Sequence, residues 1–354
     1  MFSMRRALSL GWIMTVGSSA RIYGLSSSSS AASTSVLGKT STALEVLKEL
    51  NASKRLADYA CQGGTAVVTG GSSGIGVDTV STLALTGMKV ILCVRNVEAG
   101  EEVRSSLPTW CQPNVRVQLC DLADLTSVQQ AAHSMITKKE TIDLLVNNAG
   151  VMAPPRRMET AQGWELQFGT NHVGHHFLTR LLLPSMAEGG RIVTLASTAH
   201  TMGTLNFDNL NYDKDRPKRR MYTGWNAYGQ SKLANILFAK GLNDKLKDSG
   251  STIQSVSLHP GVISTNLWKY TPFFLKPLTG VIADKSPQQG AATSIFCSLV
   301  EPSAFSGGEY CSDCQIVQPN DMAQDKDKHL RTKLWDETER LIAEAGFETP
   351  KKLK

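Results

Sequence analysis

The first part of the sequence lacks acidic residues, and none occurs before Glu45. Four cations and a serine run fall in the same stretch, at Arg5, Arg6, Arg21, Lys39 and residues 26–30. An N-terminus that is rich in arginine and serine and poor in acids is typical of an organelle transit peptide. MFSMRR followed by ALSLGWIMTV also has the layout of a secretory signal, although this apolar run is too short to span a bilayer. We therefore interpret residues 1–43 as a targeting segment.

The combination of these two signals indicates a compartment. A secretory-type signal ahead of a Ser-rich transit segment suits an organelle wrapped in additional membranes, such as a complex plastid. A plastid is therefore favoured over the simpler alternative of a mitochondrion, and the secretory pathway stays open. No other stretch reaches the length of a membrane helix, and peripheral contact with a membrane stays open.

The sequence also lacks the marks of a metal-binding or nucleic-acid-binding chain. Its 7 cysteines are scattered, and Cys311-x-x-Cys314 has no second Cys/His pair at the spacing of a zinc site. That pair is either a redox dithiol or two unrelated residues at a strand end, and a reducing compartment fits best. The net charge of +6 comes partly from the acid-free N-terminus and partly from the C-terminal lysines, so it does not indicate nucleic-acid binding.

A regular alternation of strands and helices begins after residue 62. Predicted strands lie at 65–70, 89–94, 115–120, 142–148, 191–197 and 252–260. Continuous apolar strands that alternate with helices indicate a parallel sheet covered on both faces. The predicted architecture is therefore one α/β domain with a doubly wound, Rossmann-type parallel sheet over residues 62–345. A leading helix at 44–61 precedes this domain, and a basic tail at 346–354 follows it.

A glycine-rich turn follows the first predicted strand and opens onto a helix. It reads TGGSSGIG, with three glycines in a G-x-x-x-G-x-G pattern. The glycines permit a tight turn and let backbone N–H groups approach a pyrophosphate, which the helix N-terminus favours electrostatically. Because the pattern lies at the first strand-to-helix junction, it predicts a dinucleotide site. The expected cofactor contacts in this turn are Gly70, Ser72, Ser73, Gly74, Ile75 and Gly76.

The second predicted strand lacks an acid at its end, where an NAD site carries one for the ribose hydroxyls. The residues there are CVRN, and the first carboxylate is Glu98, inside the next helix. Arg95 can offer a forked pair of donors to a 2′-phosphate, with Asn96 beside it. The alternative is an ordinary solvated arginine at a helix start. The missing acid favours NADP(H) as the cofactor.

Two further strand ends carry turns that would face the same cofactor. Asp121 and Leu122 follow the third strand, where a side chain can hydrogen-bond the adenine amino group. Asn148, Ala149 and Gly150 close the fourth strand at the carboxyl edge of the sheet. Each of these segments could also be a plain turn.

Tyr228 and Lys232 stand four residues apart in WNAYGQSKLAN, so on a helix their side chains share one face. Alone the pair is weak, because Tyr-x-x-x-Lys arises often by chance. With TGGSSGIG, CDL, NNAG, TNHVGHHFLT, RIVTLAS and HPG in order, the chain resembles the short-chain dehydrogenase/reductase family over nearly all of residues 62–345. LCVRN, YGQSKLANILF and GGEYCSDCQIV resemble its retinol-dehydrogenase-like branch, which includes the chloroplast-envelope translocon dehydrogenase of plants.

The resemblance implies a role for each member of a catalytic group. Tyr228 would be the acid/base and Lys232 its activator, Ser197 would hold the substrate oxygen, and Asn171 would support a water-linked proton relay. Reduction of a carbonyl builds negative charge on oxygen, which a proton donor must quench. A free tyrosine has a pKa of about 10, so a nearby ammonium and an oxidised cofactor are expected to lower it. The family also places Tyr228, Lys232, Pro260, Gly261 and Thr265 at the cofactor.

The same resemblance predicts the substrate class. The stretch 262–282 is apolar and aromatic where the family places its substrate lid, and Phe273, Phe274 and Leu275 suggest a lipophilic alcohol or carbonyl. These side chains could instead pack in the core or touch a bilayer. The loop before Tyr228 is interpreted as solvated, with contact to an anionic substrate group or a membrane surface as the alternative. Its cations are Lys214, Arg216, Lys218, Arg219 and Arg220.

Two alternative functions stay open. One is an NADPH-binding redox sensor in an organelle membrane complex with little turnover, and the other is a pigment reductase of the protochlorophyllide type. Pigment reductases carry a cysteine two residues after the motif lysine, where this chain has Ala234. His172, His175 and His176 lack the glutamate of a metalloprotease motif, so no metal is expected. The expected partner is a lipophilic small molecule rather than nucleic acid, and a homo-oligomer stays open.

Overall fold

The computed structural model describes residues 37–213, 221–263 and 285–353, and its central feature is one eight-stranded sheet. The strands are β1 Thr65–Thr69, β2 Lys89–Val94, β3 Val115–Leu119, β4 Ile142–Asn147, β5 Met186–Leu195, β6 Gln254–His259, β7 Tyr310–Ser312 and β8 Gln315–Val317. Their spatial order is β3-β2-β1-β4-β5-β6-β7-β8, and only the β7–β8 pair is antiparallel. The predicted Rossmann-type sheet is confirmed.

Helices cover both faces of this sheet. They are α1 Ala43–Ala52, α2 Asp58–Cys61, α3 Ile75–Leu85, α4 Val97–Ser106, α5 Leu125–Thr137, α6 Leu166–Phe168, α7 Gly174–Leu182, α8 Gly224–Asp248, α9 Pro287–Leu299, α10 Asp321–Gln324 and α11 His329–Glu344. A π-helical turn at Gly169–Val173 joins α6 to α7. None of the helices in the described ranges combines the length and the hydropathy that a bilayer span requires.

The alternation of side chains along the strands divides the core in two. On β1, Ala66 and Val68 face one hydrophobic cluster with α1, α3 and α9, whereas Val67 faces a second cluster with α5, α7, α8 and α11. Because successive strand residues point to opposite faces, a fully apolar strand supplies both clusters at once. This explains why the strands read as unbroken apolar runs in the sequence.

The structure corrects three details of the predicted elements. The leading helix expected at 44–61 is two helices, because the chain turns at Lys54 (φ 56°) and pairs Leu56 with Val300 in a β-bridge. The strand expected at 191–197 begins earlier, at Met186, and pairs with both β4 and β6. Strands β7 and β8 were not predicted.

The order of the strands indicates where on the sheet a ligand crevice is expected. The chain winds from β1 to β2 and β3 on one side, and from β4 to β8 on the other. Neighbouring β1 and β4 are therefore the point where the winding changes direction. In open parallel sheets the ligand crevice lies at the carboxyl ends of such strands.

Candidate active site

The glycine turn after β1 is shaped so that no side chain fits at two of its positions. Gly70 has φ 67°, and a Cβ there would stand 2.8 Å from the Cα of Ala149. A Cβ on Gly76 would stand 2.4 Å from the carbonyl oxygen of Gly70. Gly74 caps α3 with φ 56°, Ile75 is buried beside it, and Ser73 is exposed. The turn therefore presents bare backbone at the start of an 11-residue helix, which suits a pyrophosphate.

The loop after β4 is tied to this turn by hydrogen bonds. The side-chain amide of Asn148 donates to the carbonyl oxygens of Thr69 and Gly70, at 2.7 and 3.2 Å. The backbone N–H groups of Asn148 and Ala149 donate to Oγ1 of Thr69, at 2.9 and 3.0 Å. A Cβ on Gly150 would lie 3.6 Å from Nζ of Lys232, so the loop also reaches the lysine. Thr69 was not predicted as a site residue.

The residues predicted to contact the adenosine end of the cofactor differ in whether their side chains already serve the local fold. Arg95 is exposed just after β2, where it can reach a ligand. Asn96 caps α4, and its Oδ1 accepts from the backbone of Ala99 at 3.0 Å, so its side chain already has a structural partner. Oδ1 of Asp121 likewise accepts from a backbone N–H at 2.9 Å, and Leu122 is buried in the core. Only Arg95 of this set has a side chain that the local fold does not use.

The four residues predicted as a catalytic group converge at the ends of β4 and β5. Ser197 follows β5, its hydroxyl accepts from the backbone N–H of Ala199 at 3.2 Å, and it lies near the phenol of Tyr228 on α8. Nζ of Lys232 donates to the carbonyl oxygen of Leu195 at 2.9 Å and lies 5.6 Å from the centre of the Tyr228 ring. The helix thus places the tyrosine and the lysine on one face, directed at the same strand end.

Asn171 lies in the π-helical turn, a distortion that is frequent at functional sites. Its side-chain amide donates to the carbonyl oxygen of Val151 and to Oγ of Ser231, each at 2.9 Å. Its Oδ1 accepts from the backbone N–H of Val151 at 2.7 Å. The side chain therefore joins the loop after β4 to the helix that carries Lys232.

Burial shifts the pKa values of both Tyr228 and Lys232. Burial raises the pKa of Tyr228 to about 12, and the neighbouring Ser197 hydroxyl acts in the opposite direction. Burial also lowers the pKa of Lys232 to about 8. Nζ of Lys232 donates to the carbonyl oxygen of Leu195, and the lowering of the tyrosine pKa expected from the sequence also involves the charge of an oxidised cofactor.

Small apolar residues surround the tyrosine separately from the two main cores. Met152, Ala199 and Tyr228 form their own buried cluster, and Ala153 packs against it. The half-exposed ring of Trp225 stands edge-on to that of Tyr228, with 6.2 Å between centroids. The environment next to the phenol is therefore largely hydrocarbon.

Of the remaining predicted residues, two lie at this edge of the sheet and the others fall outside the described part of the chain. Pro260 and Gly261 follow β6 at the same edge, and Gly261 (φ 98°) packs against the aliphatic chain of Lys285. The remaining predictions lie outside the described residues: Thr265, the aromatic stretch with Phe273, Phe274 and Leu275, the basic cluster from Lys214 to Arg220, and most of the targeting segment.

The histidines of α7 and the C-x-x-C pair have internal partners. His172 and His175 contact threonine hydroxyls, and His176 contacts Glu339 at 2.8 Å. Cys311 and Cys314 are buried free thiols at the β7–β8 turn. No group of three or more His, Cys, Asp or Glu side chains is arranged to hold a metal in the described part of the chain.

Comparison with known proteins agrees with this geometry. Residues 64–209 match the family model for short chain dehydrogenases. The chain is 39% identical over 279 residues to retinol dehydrogenase 11 of Mus musculus, covering 77% of this chain and 84% of that protein. It is 36% identical over 335 residues to the chloroplastic short-chain dehydrogenase TIC 32 B of Brassica napus, covering 91% and 98%. This chain belongs to the short-chain dehydrogenase/reductase family. Its relatives place it in the retinol-dehydrogenase-like branch of that family.

A solved structure supports the same assignment. An uncharacterised protein from Mycobacterium paratuberculosis is 32% identical and superposes with a TM-score of 0.67, covering 88% of this short-chain dehydrogenase/reductase and 99% of that protein. The chain is therefore a hydride-transfer oxidoreductase that acts on CH–OH or C=O groups and uses a nicotinamide cofactor. The residues present fit such a cofactor, because the bare backbone at Gly70 and Gly76 leaves the cradle that its pyrophosphate needs.

Proposed function

We propose that this protein is an NADP(H)-dependent oxidoreductase of lipophilic alcohols and carbonyls. The observation that carries the proposal is the position of Tyr228, which forms a small buried hydrocarbon cluster with Met152 and Ala199 and has the Ser197 hydroxyl near its phenol. A proton donor held at a fixed position next to an apolar surface suits a substrate with one polar oxygen on a hydrophobic body.

The role that we propose for each catalytic side chain follows from its position. The nicotinamide, when bound, supplies or accepts the hydride. Ser197 holds and polarises the substrate oxygen, and Tyr228 gives that oxygen its proton on reduction or takes it on oxidation. Lys232, with Gly150 beside it, would hold the ribose of a bound nicotinamide cofactor and return a proton to Tyr228, and Asn171 fixes the loop and helix between which a relay water would lie.

Selectivity for NADP(H) is assigned to Arg95. Its guanidinium is exposed at the end of β2, while Asn96 is used as a helix cap and no carboxylate stands at the strand end. A guanidinium there favours a 2′-phosphate, whereas an NAD site needs an acid. Arg95→Ala should weaken NADPH binding at least about tenfold, the loss of one charge-assisted contact, and leave NADH binding nearly unchanged.

The experiment that tests the proposal measures turnover of an aldehyde and ketone panel graded by chain length and ring size, with NADPH and with NADH. We expect retinoid-like and long-chain aldehydes to be reduced with NADPH, and Tyr228→Phe to lose the activity while it keeps NADPH affinity. Tyr59→Phe is the matched control, since Tyr59 is a buried tyrosine on α2 whose hydroxyl donates to the carbonyl oxygen of Ser298 rather than to a site residue. No turnover across the panel, or full activity of Tyr228→Phe, would contradict the proposal.

A second candidate is an NADPH-binding subunit of an organelle membrane complex with little turnover. The 36% identity to a chloroplastic dehydrogenase over 91% of the chain favours it and also supports a plastid location. Tight NADPH binding without turnover, together with co-purifying membrane subunits, would favour this candidate. Imaging residues 1–60 fused to a fluorescent reporter tests the plastid location, and accumulation in mitochondria or secretion would contradict it.

A further inference from the structure

The end of β1 and the π-helical turn are joined by one buried histidine. His175 is 1% exposed, and its two ring nitrogens have different partners. Nδ1 lies 2.9 Å from the carbonyl oxygen of Asn171, and Nε2 lies 2.8 Å from Oγ1 of Thr69. Asn171 belongs to the π-helical turn, and Thr69 is the last residue of β1, the strand that carries the glycine turn.

The hydrogen-bond inventory fixes the direction of this connection. Oγ1 of Thr69 already accepts from the backbone N–H groups of Asn148 and Ala149, which uses both of its lone pairs. Its proton can go to Nε2 of His175 at 2.8 Å or to the carbonyl oxygen of Val146 at 3.4 Å, and the shorter contact is the better bond. Nε2 therefore accepts, and Nδ1 carries the hydrogen that it donates to Asn171.

The ring is held neutral in this tautomer. Burial lowers the pKa of His175 to about 4, and the nearby Lys232 charge acts in the same direction. A neutral ring with both nitrogens engaged cannot shuttle protons at neutral pH, so its role is to hold other groups in place. The neighbouring His172 differs, since its Nδ1 has no partner among the described residues and its Nε2 contacts Thr338 on α11, away from the site.

We propose that His175 is a positioning residue that fixes the cofactor loop Asn148–Gly150 relative to Asn171. A continuous series of hydrogen bonds runs from the backbone amide of Asn148 through Thr69 and His175 to the backbone carbonyl of Asn171. The side-chain amide of Asn171 then donates to Ser231, the residue before Lys232. The inference rests on the proposed function, because it assigns a role in catalysis to this series of hydrogen bonds. The series would keep the cofactor loop aligned with the residues that transfer the proton.

The test compares the same substitution at two buried histidines. His175→Gln breaks the connection to the site, and His172→Gln breaks the bond between His172 and Thr338. We expect His175→Gln to slow single-turnover hydride transfer from NADPH by about tenfold to a hundredfold, the loss typical of small misalignment. NADPH affinity should stay within about threefold and the primary deuterium isotope effect should rise, since neither depends on the fraction of folded enzyme. His172→Gln should lower thermal stability to a similar degree without changing the isotope effect.

A second readout does not need turnover. Thr69→Val removes the hydroxyl that accepts from Asn148 and Ala149, and Thr69→Ser keeps it. Amide hydrogen exchange at Asn148 and Ala149 should accelerate in His175→Gln and Thr69→Val but not in Thr69→Ser or His172→Gln. Unchanged exchange in His175→Gln, or equal kinetic effects of the two histidine variants, would overturn the inference. A wild-type protein without turnover but with the expected exchange pattern would instead contradict the proposed function.

Discussion

Replacing Lys232 with methionine should stabilise the unliganded protein and abolish its activity. Lys232 is 4% exposed, and burial lowers its pKa from 10.5 to about 8. Because the unfolded chain keeps the ordinary pKa, holding the ammonium inside the fold below pH 8 costs about 3 kcal/mol. Methionine fills a similar volume without that charge.

Part of this gain is offset by a lost hydrogen bond. Nζ of Lys232 donates to the carbonyl oxygen of Leu195, a bond of about 1 kcal/mol. The carbonyl keeps a partner, because the side-chain amide of Asn235 also donates to it at 2.9 Å. The net gain for Lys232→Met should therefore be about 2 kcal/mol at pH 7.

The stability difference between wild type and Lys232→Met should depend on pH. Between the folded pKa of about 8 and the unfolded value of 10.5, the unfolded chain binds more protons than the folded chain. The stability that the wild type owes to this group therefore rises across that window, and the advantage of methionine disappears by its upper end. Below pH 8 the advantage is complete.

The assay is urea unfolding of unliganded wild type and Lys232→Met at pH 7 and near pH 10.5, with turnover measured in parallel. Lys89→Met is the control, since Lys89 is exposed at the start of β2 and should change stability little at either pH. A variant less stable than wild type at pH 7, or a gain that does not depend on pH, would refute the reasoning.

Three further outcomes follow from the same contacts. Gly76→Ala should abolish NADPH binding in a fluorescence titration, because its Cβ would stand 2.4 Å from the carbonyl oxygen of Gly70, and tight binding would contradict the cradle. Burial favours a raised pKa for Glu339, but hydrogen bonds from His176 and Thr349 and the Arg180 charge lower it to about 2. Wild type should therefore lose stability as pH falls from 4.5 toward 2, and Glu339→Gln should flatten that acid limb by about 1 kcal/mol in unfolding curves, allowing for partial exposure. In ultraviolet difference titrations against Tyr228→Phe, the pKa of Tyr228 should be about 12 in the unliganded protein and lower with NADP+ bound, and an already low value would contradict the burial argument.

The sheet could be predicted from the sequence because its strands are buried on both faces. Apolar runs such as KVILCV leave no ambiguity about β2, and the observed bounds agree with those expected. Strands β7 and β8 have three residues each, too few to show a pattern. Their connecting turn places Asp313 and Cys314 at positive φ without a glycine, so the usual turn signal is absent.

The candidate site was predictable where residue type and spacing carry the chemistry. Tyr228 and Lys232 share a helix face, and Gly70 and Gly76 need bare backbone, so local sequence is sufficient for them. Distances set by the tertiary fold were not predictable. The ammonium of Lys232 donates to a strand carbonyl, and burial of Tyr228 raises the pKa of its phenol, and neither effect has a signal in the local sequence.

The connection through His175 shows the same limit. The sequence places this residue in an HxxHH pattern, from which we predicted no metal site and no particular role for the histidine. Its partner Thr69 is 106 positions away, and only the contact of α7 with the end of β1 brings the two together. Hydrogen-bond partners that are distant in sequence have no local signature.

The most direct test of the account is stopped-flow oxidation of NADPH with a retinoid-like aldehyde, comparing wild type with Tyr228→Phe. The account predicts a rapid single turnover in wild type and a loss of at least about a thousandfold in the variant, since the proton donor is removed while the cofactor cradle is intact. NADPH oxidation at the wild-type rate in Tyr228→Phe would contradict the assignment of the site.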